Sequence, residues 1–218
     1  MDDTTIGAVR DNAAWCDLVC RTHGLAGVAD DDAWSVPHRS PTWYPDAVTL
    51  RPGVAAATLL GRIETGPGAS VKDSFADLDL APYGFRVLFG ARWIHRRAGA
   101  TPLPGVPLTP VSTPAALAGW AEAHGGGELF RPALLADPRV TVLARLDGTG
   151  VAGGAILHRG GPLVGVSNVF ARTVGPAEIW AALPATDALV GYESGDDLVA
   201  AERVGFRTAG ALRVWLHD

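Results

Sequence analysis

The chain has 218 residues, 48% of them apolar and 19% charged, with a mean hydropathy of +0.17, so it supplies a sizeable core and global disorder is excluded. The length admits one large α/β domain or two fused half-size units. Eighteen basic against 23 acidic residues, with Lys72 as the sole lysine, exclude a nucleic-acid partner; the lack of any apolar run of the ~18–20 residues that span a membrane, together with the acidic start Met1-Asp2-Asp3, predicts a soluble, cytoplasmic protein.

The first predicted element is a helix over 11–22, with Asp11 or Asn12 as its cap and Gly24 at its end. Trp15, Cys16, Val19 and Cys20 form its apolar stripe. The run Cys16, Cys20, His23 contains potential metal ligands but lacks a fourth, so these cysteines read as core and no metal is expected. An aromatic, proline-punctuated loop over 34–45 ends near Trp43 and Tyr44. A strand over 47–50, a helix over 54–63, a strand and polar turn over 70–80, and a long strand over 84–96 complete the first half.

Residues 98–113 hold four prolines and two glycines and read as a linker between an N-terminal half (1–97) and a C-terminal half (114–218). Thr113 then caps a helix opened by Pro114 and closed by Gly125. Strands over 140–146, 151–158 and 162–170, joined at 147–150 and 160–161, predict an antiparallel meander. A short helix over 176–183, a strand over 188–193, a helix capped by Asp196 or Asp197 and running to Val204, and a strand over 207–217 follow. A shift of 121 residues superposes 44–97 on 165–218 without gaps. Eight of those 54 pairs are identical, among them Gly84-Phe85-Arg86 against Gly205-Phe206-Arg207, which suggests an internal duplication.

Three features of 162–213 carry a resemblance to a known family. The meander ends in Ser167-Asn168-Val169-Phe170. Arg172-Thr173-Val174-Gly175-Pro176-Ala177 fits a Q/R-x-x-G-x-G/A signature at a strand-to-helix turn. A strand, a helix and Gly205-Phe206 close the segment. In these respects the chain resembles the GNAT-type N-acetyltransferase superfamily, and the N-terminal half looks like a degenerate second copy. The resemblance implies an α/β fold with a mixed sheet, built here as tandem half-domains. It also implies acetyl-CoA as co-substrate, with the pyrophosphate held by Arg172, Val174, Gly175 and Ala177, and the thioester arm lying along the backbone of Val169 and Phe170 in a splay beside the central strand.

The segment departs from the family pattern as well. Pro176 has no N–H, Glu178 puts a negative charge in the first helical turn, and Ala201 stands where the family commonly has a tyrosine acid.

Acyl transfer to a small-molecule amine needs a base. Glu193, ending the strand after the signature helix, is the candidate, with Tyr192 as a substitute proton donor. A capping or solvated glutamate and a half-buried tyrosine are the plain alternatives. Asp73, Asp77 and Asp79 alternate at period two, which would place three carboxylates on one face of an extended segment, either to meet a cationic amine or as a charged, solvated edge. Trp43, Tyr44 and Trp93 are candidates for lining a substrate pocket, or else core. Two function classes therefore stand: an acyl-CoA-dependent N-acyltransferase, and a catalytically inactive ligand-binding or interaction protein. Either would be a monomer or homodimer.

Overall fold

The computed structural model describes residues 3–99, 106–148 and 150–218. The chain divides into two compact units: unit 1 comprises Met1–Trp93 with Ala209–Asp218, and unit 2 comprises Ile94–Thr208.

Unit 1 opens with α1 (Asp3–Thr22). The cap predicted at Asp11 or Asn12 is corrected, because Thr5, Ala8 and Val9 extend the buried stripe toward the N-terminus and carry the helix with it. Asn12, inside the helix, accepts from Lys72 Nζ at 2.7 Å. Both cysteines are free and buried. Strands β1 (Val28–Ala29) and β2 (Ala33–Ser35) form a hairpin where the sequence suggested loop from Trp34 onward. The turn is set by Asp30, whose carboxylate accepts the amides of Asp32 and Ala33. A three-residue buried strand is too short to show an alternating pattern.

Next come β3 (Ala47–Thr49), α2 (Ala56–Leu60) and β4 (Ser70–Asp73). The helix is shorter than 54–63: Ala55 is still extended (ψ 124°) and Gly61 ends it. A 3-10 turn (Ala81–Tyr83), β5 (Phe85–Arg96) and the last strand of the chain, β11 (Arg207–His217), complete the order β1-β2-β3-β4-β11-β5. The pairing is parallel between β3 and β4 and antiparallel between β4 and β11. Val54, Leu59, Leu60, Val71, Leu80, Phe85 and Trp215 form one core cluster of this unit.

Unit 2 begins with the end of β5, whose Ile94 is fully buried among its side chains. The predicted linker is partly structured: β6 (Thr109–Pro110) pairs with β7, while residues 100–105 lie outside the described residues. Helix α3 (Pro114–His124) is capped as predicted, Thr113 Oγ1 accepting from Ala116 N at 3.2 Å, and stops at Gly125 with φ 90°. The meander is β7 (Val140–Asp147), β8 (Gly150–His158) and β9 (Val164–Ala171). It is followed by α4 (Pro176–Ala181), β10 (Leu189–Glu193) and α5 (Gly195–Arg203).

The strand order is β10-β9-β8-β7-β6, parallel only between β10 and β9. The cap of α5 is Ser194, not Asp196 or Asp197; those two lie in its first turn, where carboxylates oppose the positive end of the helix dipole. Ile179, Trp180, Leu189, Ala201 and Phe206 close the core over the sheet. Among the described residues no helix is long and apolar enough to cross a membrane.

Candidate functional site

The site in unit 2 is built on a defect in β9. Opposite β8, Phe170 faces Gly154 and Ser167 faces Ile156, so β9 carries one residue more than its partner over this step. The extra residue is accommodated at Asn168, which has φ 52°. Asparagine is among the few side chains that adopt this left-handed conformation at low cost, and such a bulge bends its strand and increases local twist. On the other edge of β9 the parallel ladder to β10 contains only Val164–Leu189 and Gly165–Val190. Gly191 still approaches β9 closely: a Cβ there would sit 2.8 Å from Val166 O. Beyond it, Val166–Ala171 and Gly191–Glu193 continue without pairing to each other. Past Gly165–Val190, β9 and β10 are no longer partners in the ladder.

Val169 and Phe170, the residues expected along a thioester arm, lie on this stretch. Val169 packs toward the unit 2 core, whereas Phe170 meets a cluster of rings. In that cluster His124 stacks on Trp120 at 5.3 Å, and both meet Phe130 and Phe170 edge-on at 5.0–5.2 Å. Gly154 makes room for it, since any Cβ there collides with Trp120 Nε1 and Leu143 O, which are hydrogen-bonded to each other at 2.9 Å. Burial pulls the His124 imidazole down to about 4, so it is neutral at physiological pH.

At the turn into α4, Arg172 N and Thr173 N donate to Ala152 O at 2.8 and 3.4 Å. Gly175 N is not free: it donates to Glu178 Oε1 at 2.9 Å, so the helix's own first-turn carboxylate occupies one of the expected pyrophosphate donors. The amides of Val174 and Ala177 have no acceptor among the described residues, and the exposed Arg172 side chain has no ion pair among them.

Tyr192 and Glu193 end β10, both half-buried, past the last ladder pair with β9. Burial pushes the Glu193 carboxyl up to about 8, Asp197 on α5 adding to the effect and the Ser194 amide opposing it. Ala201, where a tyrosine acid was looked for, is fully buried in the core and offers no proton.

The other expected substrate residues are in unit 1. Asp73 is fully buried and accepts the amides of Asp77 and Leu78; β4 ends at Asp73 and Ala76 has φ 55°, so Asp73, Asp77 and Asp79 do not share one strand face. Trp93 is fully buried with its indole N–H on Ser74 O at 2.8 Å. The Tyr44 hydroxyl accepts from Trp15 Nε1 at 3.0 Å, and Trp43 is 64% exposed. The bulge at Asn168 was not singled out from the sequence, whereas His124 falls with Leu117, Trp120 and Ala121 on one face of the helix predicted after Thr113, a spacing that reads as core. The only signal for the first was an asparagine inside a run of strand formers.

No family profile matches the chain, and no curated protein matches it. Solved structures do. A GCN5-related N-acetyltransferase from Kribbella flavida superposes with a TM-score of 0.61 at 17% identity, over 97% of this chain and 95% of that one. A GNAT-family protein from Novosphingobium aromaticivorans gives 0.57 at 15% identity, over 96% and 99%. A GCN5-related N-acetyltransferase-like protein from Streptococcus suis gives 0.57 at 13%, over 99% of both chains. These likenesses extend over nearly the whole chain, and with the bulged, half-paired β9 they establish that it has the GNAT acyl-CoA N-acyltransferase fold.

Proposed function

We propose that the protein is an N-acyltransferase that moves an acyl group from acetyl-CoA to a small-molecule amine in unit 2. The observation that carries this reading is the end of the β9–β10 ladder at Gly165–Val190, with Glu193 past it. The pantetheine arm would lie along the unpaired edge of Val169 and Phe170, where fixed backbone dipoles replace water around the thioester carbonyl. Arg172, Val174 and Ala177 are the groups left to hold the pyrophosphate, Gly175 contributing only when Glu178 lets go. Glu193 accepts the proton of the incoming ammonium, the amine attacks the carbonyl carbon, and the C–S bond breaks. A carboxyl at about 8 is matched to that role, because a base with this affinity takes a proton from an amine at a small driving-force cost. Tyr192 is the group nearest in sequence to return a proton to the thiolate. The carboxylates of Asp196 and Asp197 in the first turn of α5 favour a cationic acceptor.

The test is release of free thiol from acetyl-CoA across a panel of small amines. Turnover that is lost in Glu193→Gln supports the reading; binding without turnover for any amine refutes the catalytic part. The second reading, a binding protein without catalysis, is favoured by the occupation of Gly175 N by Glu178 and by the buried Ala201. It predicts no rise in melting temperature with acetyl-CoA and no thiol release.

A further inference from the structure

We infer that each chain binds a single acyl-CoA, in unit 2, and that unit 1 contains a sealed copy of the same strand–turn–helix device. The inference rests on the acyl-CoA reading above and on correspondences between positions 121 residues apart. Phe85 N donates to Leu80 O at 3.3 Å, and Phe206 N to Ala201 O at 3.2 Å. Gly84 N donates to Ala81 O at 3.1 Å, and Gly205 N to Glu202 O at 3.1 Å, the two glycines having φ 84° and 92°. The ring of Phe85 meets His217 at 5.0 Å, and the ring of Phe206 meets the Arg96 guanidinium at 5.0 Å. Leu59 and Trp180 are buried on the two short helices, and Ile94 and Trp215 on the two long strands. Side chains have diverged while backbone turns and packing positions recur, which is the mark of a repeat rather than of composition.

The copies differ along the strand ladder and at two positions of the turn, although in unit 2 one turn amide, Gly175 N, is also held by a carboxylate, that of Glu178. In unit 2 the ladder stops at Gly165–Val190. In unit 1 the matching stretch is closed: Ala47 pairs with Val71 and Val48 with Lys72, positions equivalent to Asn168, Tyr192, Val169 and Glu193. Asp46 adds a further clasp, its N–H donating to Ser70 O at 2.8 Å while its buried carboxylate accepts from Ser70 N at 2.8 Å. Arg39 and Ser40 N hold the same carboxylate at 2.7 Å.

At the turn, Arg51, the counterpart of Arg172, is paired with Asp32 at 2.7 Å. Gly53 N, the counterpart of Val174 N, donates to Asp77 at 2.7 Å. Two carboxylates of the protein thus occupy the positions a phosphate would take. Lys72, at the position of Glu193, is buried and donates to Asn12, a hydrogen-bond donor where the other copy has a carboxyl.

Titration calorimetry of the full chain with acetyl-CoA, paired with hydrogen exchange, tests this. One molecule bound per chain is expected, with exchange slowed over Val166–Ala171 and unchanged over Ala47–Thr49. Arg172→Glu should raise Kd by roughly tenfold or more, the order for reversing a charge beside an anion, and the exposed Arg51→Gln should leave it unaltered. Two molecules per chain, slowed exchange over Ala47–Thr49, or weaker binding in Arg51→Gln overturns the sealed copy while leaving an acyl-CoA protein. No heat and no protection anywhere overturns the acyl-CoA reading, and with it this one.

Discussion

Replacing Glu193 by glutamine separates the cost of holding this carboxyl from its use. In the folded chain the group gives up its proton at about 8 rather than 4.5, principally through burial and secondarily through Asp197. The unfolded chain gives it up near the ordinary value. Between those two pH values the folded state therefore binds more protons than the unfolded state, and stability falls as pH rises, by at most about 1.4 kcal/mol per unit. Below the lower value both states are protonated and nothing is lost; above the upper one the loss reaches its ceiling of about 5 kcal/mol. Glutamine keeps the shape and carries no charge to strand.

The variant should thus melt with the parent at pH 4 and well above it at pH 9, each kcal/mol being worth about 2–4 °C in a chain of this size. If it also loses turnover, a stabilising substitution will have removed a working base. Scanning calorimetry of both proteins from pH 4 to 9 gives the comparison. Parallel melting curves, or a variant less stable at pH 9, would refute the buried-carboxyl argument whatever the enzyme assay says. For turnover, the parent's rate should climb with pH and level off above about 8, since at pH 7 roughly a tenth of the carboxyl is ionised.

His124 is held neutral by burial, down to about 4 from 6.5, so the stability it contributes is present above 6.5 and lost as pH falls through 4; His124→Phe should flatten that acid limb in a thermal melt series. Asn168→Gly should leave the melting temperature nearly unchanged, whereas Asn168→Val, strained at φ 52°, should lower stability by about 1–3 kcal/mol in urea unfolding. Gly154→Ala drives a Cβ into Trp120 and Leu143 O and should cost about 1–3 kcal/mol or more, with loss of the buried-tryptophan fluorescence signature. Arg96 is buried, with its guanidinium on the carbonyls of Trp180, Leu183 and Pro184 at 3.5, 3.0 and 2.8 Å. Arg96→Met strands these acceptors, and a loss of about 3 kcal/mol is expected in the same urea series.

The second half was legible because its elements are long enough to show their period and are punctuated by residues with one conformational use. Thr113 and Pro114 open α3, Gly125 closes it, and Gly205 turns the chain into β11. In the first half the strands β1 to β4 run from two to four residues, and a strand that short has no alternation to read. The start of α1 was missed for a related reason: Asp11 and Asn12 are good caps in isolation, but Thr5, Ala8 and Val9 continue the buried face beneath them, and tertiary burial outweighs a local preference worth about 1 kcal/mol. At the site, spacing correctly suggested where Glu193 stands in its strand. It could not indicate that Asp73 turns inward to hold two amides, because solvated and buried carboxylates share the same alternation.

How the site divides its work between strand and turn follows from a count of donors. At the turn into α4, Pro176 has no N–H and Gly175 N is already on Glu178, so an arriving diphosphate meets the amides of Val174 and Ala177, the Arg172 guanidinium, and a carboxylate of its own sign. Recruiting Gly175 means breaking a cap worth about 1 kcal/mol and swinging a negative charge aside, which offsets much of what the new bond returns. Along β9 the ladder to β10 stops at Gly165–Val190, so no ladder pair with β10 has to be broken for a ligand to lie along Val169 and Phe170. On the acyltransferase reading, affinity then resides chiefly in the pantetheine arm and the acyl end, where the reacting carbonyl is. Weakness at the diphosphate costs binding without disturbing the geometry of transfer, so a turn this poor in donors is compatible with catalysis where the ladder stops. It is less compatible with a protein whose only task is to hold the nucleotide.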